Sequence, residues 1–233
     1  MADRLTVRPR PTPIPDGWIE IYRRFGSALL GHVINEGFVD EKIRPLFPNV
    51  RAVGTALTVR LPDGDLEPIV PAVDLIEPGD VLVIDHGGRE SVACWGELTS
   101  LAAQKRGCVG VIVDGAVANI AEMAGHRLPT FARGVAALGG RRLAQGGGVN
   151  VPVQCGGVAV HPGDLVLADD DGIVIVPPPR LDDVAALAHP LLERAPLARS
   201  WIEHGGLLGE IADLNAAELG ALLKARGLGS PTP

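Results

Sequence analysis

The chain reads as an α/β protein built on a parallel sheet, and its middle third carries the evidence. An apolar, β-branched block, "VGVIV" at 109–113, lies between two stretches with helical spacing. A similar block, "DVLVID" at 80–85, precedes the first of those stretches, and "PTFAR" at 129–133 follows the second. Strand, helix, strand, helix, strand in that order predicts parallel strands joined by right-handed crossovers, because the twist of L-residues favours one hand.

In chain order, residues 1–16 form a lead in which "RPRPTPIP" fixes φ at each proline, so an extended and poorly ordered segment is expected. Residues 17–35 place Ile21, Phe25, Ala28, Leu29 and His32 on one side at helical spacing, which predicts a first helix. Residues 51–60, "RAVGTALTVR", alternate as a strand does, and "LPDGD" supplies turn chemistry after them. The phrase "EPGDVLVIDHGG" (77–88) returns as "HPGDLVLADDDGIVIVP" (161–177). Pro-Gly gives a tight turn in both, so two similarly built strands are expected, not a solenoid.

Between these copies, residues 96–107 predict a helix with Leu98, Leu101 and Ala102 on one face. Lys105 and Arg106 suit its negative end, and Gly107 ends it. The block at 109–113 is continuous, as expected of a strand buried on both faces. It breaks at Asp114-Gly115, and a short helix at 117–124 follows. "QGGGVN" (145–150) reads as a flexible loop, and "ADDDG" (168–172) as a charged turn between strands. Residues 181–233 are rich in Leu and Ala and predict packing helices, broken at Pro190 and Pro196. The division is thus a lead (1–16), an α/β domain (17–180) and a helical segment (181–233).

Composition excludes several classes. Hydrophobic residues are 46% and charged residues 21%, which rules against a disordered chain. A net charge of −7, no basic stripe and 3% aromatics argue against nucleic acid. Apolar runs are far too short to span a bilayer, and no signal peptide opens the chain, so no membrane partner is expected. Cys94, Cys108 and Cys155 are odd in number and lack metal-ligand spacing. Buried reduced thiols in a cytoplasmic protein are expected.

The predicted topology locates a site. The loops after strands 80–85 and 109–113 leave from the carboxyl edge of the sheet, where open α/β sheets bind ligands. The free amides at the starts of helices 96–107 and 117–124 would then share one crevice, which suits a small anionic ligand. No GxGxxG or GxxxxGK[ST] supports a nucleotide. "DHGGRESVACWGE" (85–97) brings Asp85, His86, Arg89, Glu90 and Glu97 to that edge, with His86 as acid/base or metal ligand and Arg89 as cation. Plainer readings stand beside these. Asp85 and Asp114 also suit turns, His86 and Arg89 a solvated loop, and Glu97 a helix start. Cys94 reads as a packed thiol, and Glu122 and His126 as surface residues.

"WGELTSLAAQKRGCVGVIVDGAV", "FARGV" and "VNVPVQCGGVAVHPGDLVLADDDGIVIVP" together resemble the RraA-like family. That family contains the 4-hydroxy-4-methyl-2-oxoglutarate / 4-carboxy-4-hydroxy-2-oxoadipate aldolases and the regulators of ribonuclease activity A. The likeness covers roughly residues 20–180. It implies a swivelling α/β sandwich and a homo-oligomer, a homotrimer or homohexamer, with sites between subunits. It implies an enzyme that uses a divalent metal, Mg or Mn, to cleave a 2-oxo acid with release of pyruvate, and that decarboxylates oxaloacetate. In the family, amides at the positions of Gly96, Glu97, Leu98 and Thr99 hold the substrate, and an acid at Glu97 touches the metal's waters. The family's substrate-gripping arginine and metal-ligating aspartate fall on Ala118 and Asn119, so this chain departs at both. Asn119 offers a metal an uncharged oxygen, with Asp85 as a further candidate ligand. The expectation is a divergent, metal-assisted lyase, aldolase or decarboxylase, acting on a short 2-oxo or hydroxy acid. The alternatives are a binding or regulatory protein, or an isomerase or hydrolase in the same pocket.

Overall fold

The computed structural model describes residues 5–62 and 64–228. The first four residues of the lead, Asp63 of the "LPDGD" turn and the last five of the helical segment lie outside them. The chain opens with β1 (Thr6–Val7), α1 (Asp16–Tyr22), α2 (Ser27–Leu30), β2 (Arg44–Pro45), β3 (Ala52–Arg60) and α3 (Ile69–Asp74). The middle supplies β4 (Asp80–Trp95), α4 (Glu97–Lys105), β5 (Gly110–Val117), α5 (Ile120–His126) and β6 (Thr130–Val135). The remainder supplies β7 (Gly148–Val149), β8 (Val153–Cys155), β9 (Val158–Val160), β10 (Leu165–Ala168) and β11 (Ile173–Val176), then α6 (Leu181–Glu203) and α7 (Ala216–Ala225).

The architecture is a mixed α/β fold. Strands β3, β4, β5 and β6 lie side by side and parallel; the alternation of elements predicts this for β4, β5 and β6, and the structure adds β3. One edge of β3 is shared: its first half pairs antiparallel with β10, its end with β7. Residues 145–150 are therefore no flexible loop. β7 bonds both β3 and β1, and a β-carbon on Gly147 would stand 2.6 Å from the Arg60 carbonyl. The lead is likewise pinned, because β1 pairs with β7, Ile14 is buried, and Arg10 donates to the Asp80 carboxylate at 3.0 Å.

Side chains alternate across the pleat and so feed two cores. Leu82, Ile84, Val111 and Val113 meet Ala72, Val73, Ala103 and Met123 of the helices α3, α4 and α5. Val81, Val83 and Ile112 meet Val153, Cys155 and Val160 of the hairpin β8–β9. A third core packs α1, α2 and the first half of α6 on β10 and β11. β3 is buried along almost its whole length, so its outward residues face a second layer and not water.

The two "PGD" copies share one device. Gly79 and Gly163 have φ of 91° and 94°, a region glycine enters without cost. Asp80 and Asp164 each accept an amide three residues back, from Glu77 and His161, both at 2.8 Å. "ADDDG" does form the turn between β10 and β11; Asp169 accepts the Ser27 amide and Asp170 the Asn49 amide, each at 2.8 Å. The predicted helix over 17–35 divides into α1 and α2, since Gly26 between them is extended. α6 runs unbroken through Pro190 and Pro196, against expectation. Packing at both ends outweighs the two lost amides: Val184 and Ala188 sit in the third core, and Trp201 in a fourth with Ile211, Leu219 and Leu223. No helix among the described residues is long and apolar enough to cross a membrane.

Candidate functional site

Both central strands run past the points where turn residues suggested an end. β4 continues to Trp95 through register shifts at Asp85/Arg89 and Arg89/Ala93, and residues 86–88 bulge out with Gly87 and Gly88 at positive φ. β5 continues to Val117, pairing Arg89 with Gly115 and Trp95 with Val117. The carboxyl edge that matters is therefore at 93–97 and 117–119.

A cleft of about 420 Å³ opens there, lined by Leu66 and Gly139, by Ala93 to Thr99, and by Ala118 and Asn119. The Ala118 amide donates to the Trp95 carbonyl at 2.9 Å, and the Ala93 amide to the Leu138 carbonyl at 2.7 Å. α4 starts inside it. The Gly96 amide donates to Thr99 Oγ1 at 3.0 Å, and that hydroxyl donates to the Gly96 carbonyl at 2.9 Å. The hydroxyl of Thr99 is thus used in closing the helix start. The amides of Glu97, Leu98 and Thr99, the first three of the helix, have no acceptor within it and carry its positive pole.

Asn119 stands in the left-handed region (φ 58°, ψ 43°) and makes no capping bond to α5. Asparagine tolerates that conformation better than most residues. α5 begins three residues later than the predicted 117, so Ala118 and Asn119 belong to the turn before it. Asn119 Oδ1 would lie 3.0 Å from a β-carbon on Gly96, so the two helix starts meet, as the topology predicts.

The other predicted residues stand elsewhere. Asp85, Asp114 and Arg133 sit in a row on β4, β5 and β6, on the face covered by β8–β9. Asp85 accepts the amides of Gly87 and Gln154, at 3.0 and 3.1 Å, and so works as a backbone clasp and not as a cleft ligand. Asp114 accepts from Arg133 Nε at 2.5 Å and from the Gly156 amide at 2.6 Å; Arg133 also reaches Asp40 at 2.7 Å. His86 is 3% exposed and packs against β5, where a β-carbon on Gly115 would come within 2.9 Å of its Nδ1. Neither His86 nor Arg89 lines the cleft. Burial lowers the His86 pKa, against the opposing pull of Asp85 and Asp114. All three cysteines are free and buried. Burial raises the Cys94 thiol to about 12, so it stays protonated beside the cleft.

His126 reads from the sequence as a surface residue; in the structure its side chain is 23% exposed and its Nε2 lies 4.0 Å from Glu97 Oε1. A helix placed three residues too early hid that proximity.

The donor set bears on a metal. Among the described residues, no three of His, Cys, Asp and Glu are placed to share an ion. The cleft itself offers one carboxylate, Glu97, and one neutral amide oxygen, Asn119. Hard divalent cations take about six or more oxygens and favour charged ones. The residues of one chain do not fit a bound Mg or Mn.

Residues 28–175 match the family model described as "RraA-like: Aldolase/RraA". A Halalkalibacterium halodurans protein named after 4-hydroxy-4-methyl-2-oxoglutarate aldolase is 37% identical over 135 residues, covering 58% of this chain. The match spans 64% of that relative, less than two thirds of its length. A solved structure of an uncharacterized protein from Pseudomonas syringae pv. tomato superposes with a TM-score of 0.75 at 25% identity, covering 87% of this chain and all of that one. Streptomyces coelicolor RraAS2, titled an unusual member of the RNase ES inhibitor RraA protein family, gives 0.66 at 25% identity, covering 75% of this chain and 92% of its own. With the family model matched over more than half of its length, and the sheet and helices following those neighbours, this chain belongs to the RraA-like family.

Proposed function

We propose that the cleft is the site of a carbon–carbon lyase, of aldolase or decarboxylase type, acting on a short 2-oxo or hydroxy carboxylic acid. The observation that carries this is the start of α4. Three amides that have no acceptor within the helix and one carboxylate, Glu97, share a small cleft at the carboxyl edge of parallel strands. The relative named as an aldolase supports the same reaction class.

The chemistry of the chain's own groups follows. The amides of Leu98 and Thr99 receive the substrate carboxylate, where the helix pole favours an anion. In a retro-aldol cleavage, Glu97 removes the proton of the substrate hydroxyl. The carbon–carbon bond breaks, its electron pair passes into the enolate, and the proton returns to the enolate carbon. The amides at the helix start stabilise the enolate oxygen. Family resemblance implies a divalent cation as a further electron sink, but the donors of this chain do not build its site, and no step is written through it.

Leu98 is 74% exposed and Leu138 61% exposed, both beside the cleft. Such side chains suit burial against another copy, in keeping with a homotrimer or homohexamer that closes the site.

A second reading has its own observation. Among the described residues, no Lys or Arg lines the cleft. A pocket that receives a carboxylate by amides alone fits a binding or regulatory protein that keeps the scaffold without the turnover. The test is pyruvate release from oxaloacetate and from hydroxy-oxo-diacids, with and without Mg²⁺ or Mn²⁺. Turnover that falls about a hundredfold in Glu97→Gln supports the lyase. No turnover, with pyruvate still binding in calorimetry, supports the second reading.

A further inference from the structure

One buried group near the cleft has no role in the scheme above. His126 ends α5, and among the described residues its Nε2 has no hydrogen-bond partner and no exposed surface. Oε1 of Glu97 lies 4.0 Å from it, too far for a hydrogen bond and close enough for one after a small rotation. The backbone holds the two helices together at this point. Gln104 of α4 donates from its side-chain amide to the His126 carbonyl at 2.5 Å, so His126 lies along α4 from Glu97 to Gln104.

The exposures of the two partners differ. The Glu97 side chain is 38% exposed, whereas the His126 ring is 23% exposed with its Nε2 sealed. A buried N–H without an acceptor is unfavourable, and so is a carboxylate stripped of water. A ligand entering the cleft displaces water from Glu97. The same movement that gives Glu97 a donor gives His126 an acceptor.

Resting on the lyase reading of this cleft, we propose that His126 is the positioning residue of Glu97: its Nε2–H binds the carboxylate when the cleft is occupied, and so turns it toward the reacting hydroxyl. His126 does not line the cleft and touches no substrate. The bond needs only the ring tautomer that carries its proton on Nε2.

The test compares His126→Leu, His126→Gln, Glu97→Gln and the double variant Glu97→Gln/His126→Leu in the full chain. His126→Leu lowers kcat for pyruvate release by about tenfold to a hundredfold, with KM and melting temperature unchanged. His126→Gln keeps a donor and recovers most of the loss. In the Glu97→Gln background, His126→Leu has no further effect, because the two act as one unit. Nitrogen-15 NMR of the ring gives a readout independent of turnover. Pyruvate shifts the Nε2 resonance of the wild type and leaves that of Glu97→Ala, which has no side-chain acceptor, in place. The charged groups nearest in the chain, Glu122 and Arg127, are unchanged throughout. A lower melting temperature with unchanged kcat in His126→Leu, or a ring resonance indifferent to Glu97→Ala, overturns the proposal. If the wild type releases no pyruvate, the lyase reading falls, and the ring resonance still decides whether the pair exists.

Discussion

Asn119 Oδ1 stands 3.0 Å from the place a β-carbon on Gly96 would occupy, so the start of α4 and the turn into α5 are in van der Waals contact. Gly96 is extended, at φ −168°, a conformation any residue accepts. What glycine supplies here is space. In Gly96→Ala the exposed Asn119 carboxamide gives way, and the stability cost stays near or below about 1 kcal/mol. The added methyl nevertheless lies between the two helix starts. Affinity for pyruvate in calorimetry should fall about tenfold while the melting curve barely moves, a loss of about 1.4 kcal/mol in binding. A large drop in melting temperature would show that the contact is structural instead.

Restoring the family's pair tests whether the scaffold is intact. Asp is tolerated in the left-handed conformation of Asn119, so Ala118→Arg with Asn119→Asp introduces charge without backbone strain. A guanidinium grips a carboxylate through two parallel bonds. Truncating one member of a buried charge pair costs about 2–5 kcal/mol, equivalent to roughly thirtyfold to several thousandfold in rate, and this bounds from above what a pair at the exposed Asn119 turn can add. The double variant should gain pyruvate release over the wild type by up to that range, with Mg²⁺ or Mn²⁺ present. An unchanged rate would place the obstacle outside residues 118 and 119.

How much of this was legible beforehand follows from what kind of signal each feature leaves. The parallel order of β4 to β6 was readable because apolar blocks and helical spacing alternate. The "PGD" turns were readable because glycine and aspartate have local jobs, which the backbone of Gly79 and Gly163 and the clasps of Asp80 and Asp164 perform. The ends of β4 and β5 were not. Asp85 and Asp114 carry turn chemistry, but pairing between the two strands continues beyond them across a bulge, and only the partner strand determines that. Once the strands are extended, the pleat sends Asp85 and Asp114 to the hairpin face, away from the cleft. That Glu97 lines the cleft was legible because it belongs to a helix start, a local feature. His126 was hidden because its neighbour, Glu97, is distant in sequence.

His86 sets a pH dependence with a definite sign. Burial depresses its pKa below the ordinary histidine value of about 6.5, so the folded state resists a proton that the unfolded chain accepts. Its contribution is complete above about pH 6.5 and is lost as pH falls from there toward the depressed folded value. The melting temperature should decline over that window. His86→Gln, which cannot titrate, should flatten the decline. An equal slope in the variant would place the proton elsewhere.

The row on the hairpin face makes the last prediction. Asp114 joins β5 to Arg133 of β6 and to the amide of Gly156, and Arg133 reaches on to Asp40. The side chains of Asp114 and Arg133 are only 9% and 12% exposed, so their charges are poorly solvated when separated. Removing one partner leaves the other buried without compensation, a loss of about 3–5 kcal/mol. Arg133→Met should therefore destabilise the chain strongly in urea unfolding, by more than Arg142→Met, whose guanidinium meets Glu67 at the surface and is 63% exposed. Replacing the charged pair together, as Asp114→Leu with Arg133→Met, should recover part of the loss, although the Gly156 amide would still lack its acceptor. If Arg133→Met costs no more than Arg142→Met, the row is solvated and does not hold the hairpin to the sheet.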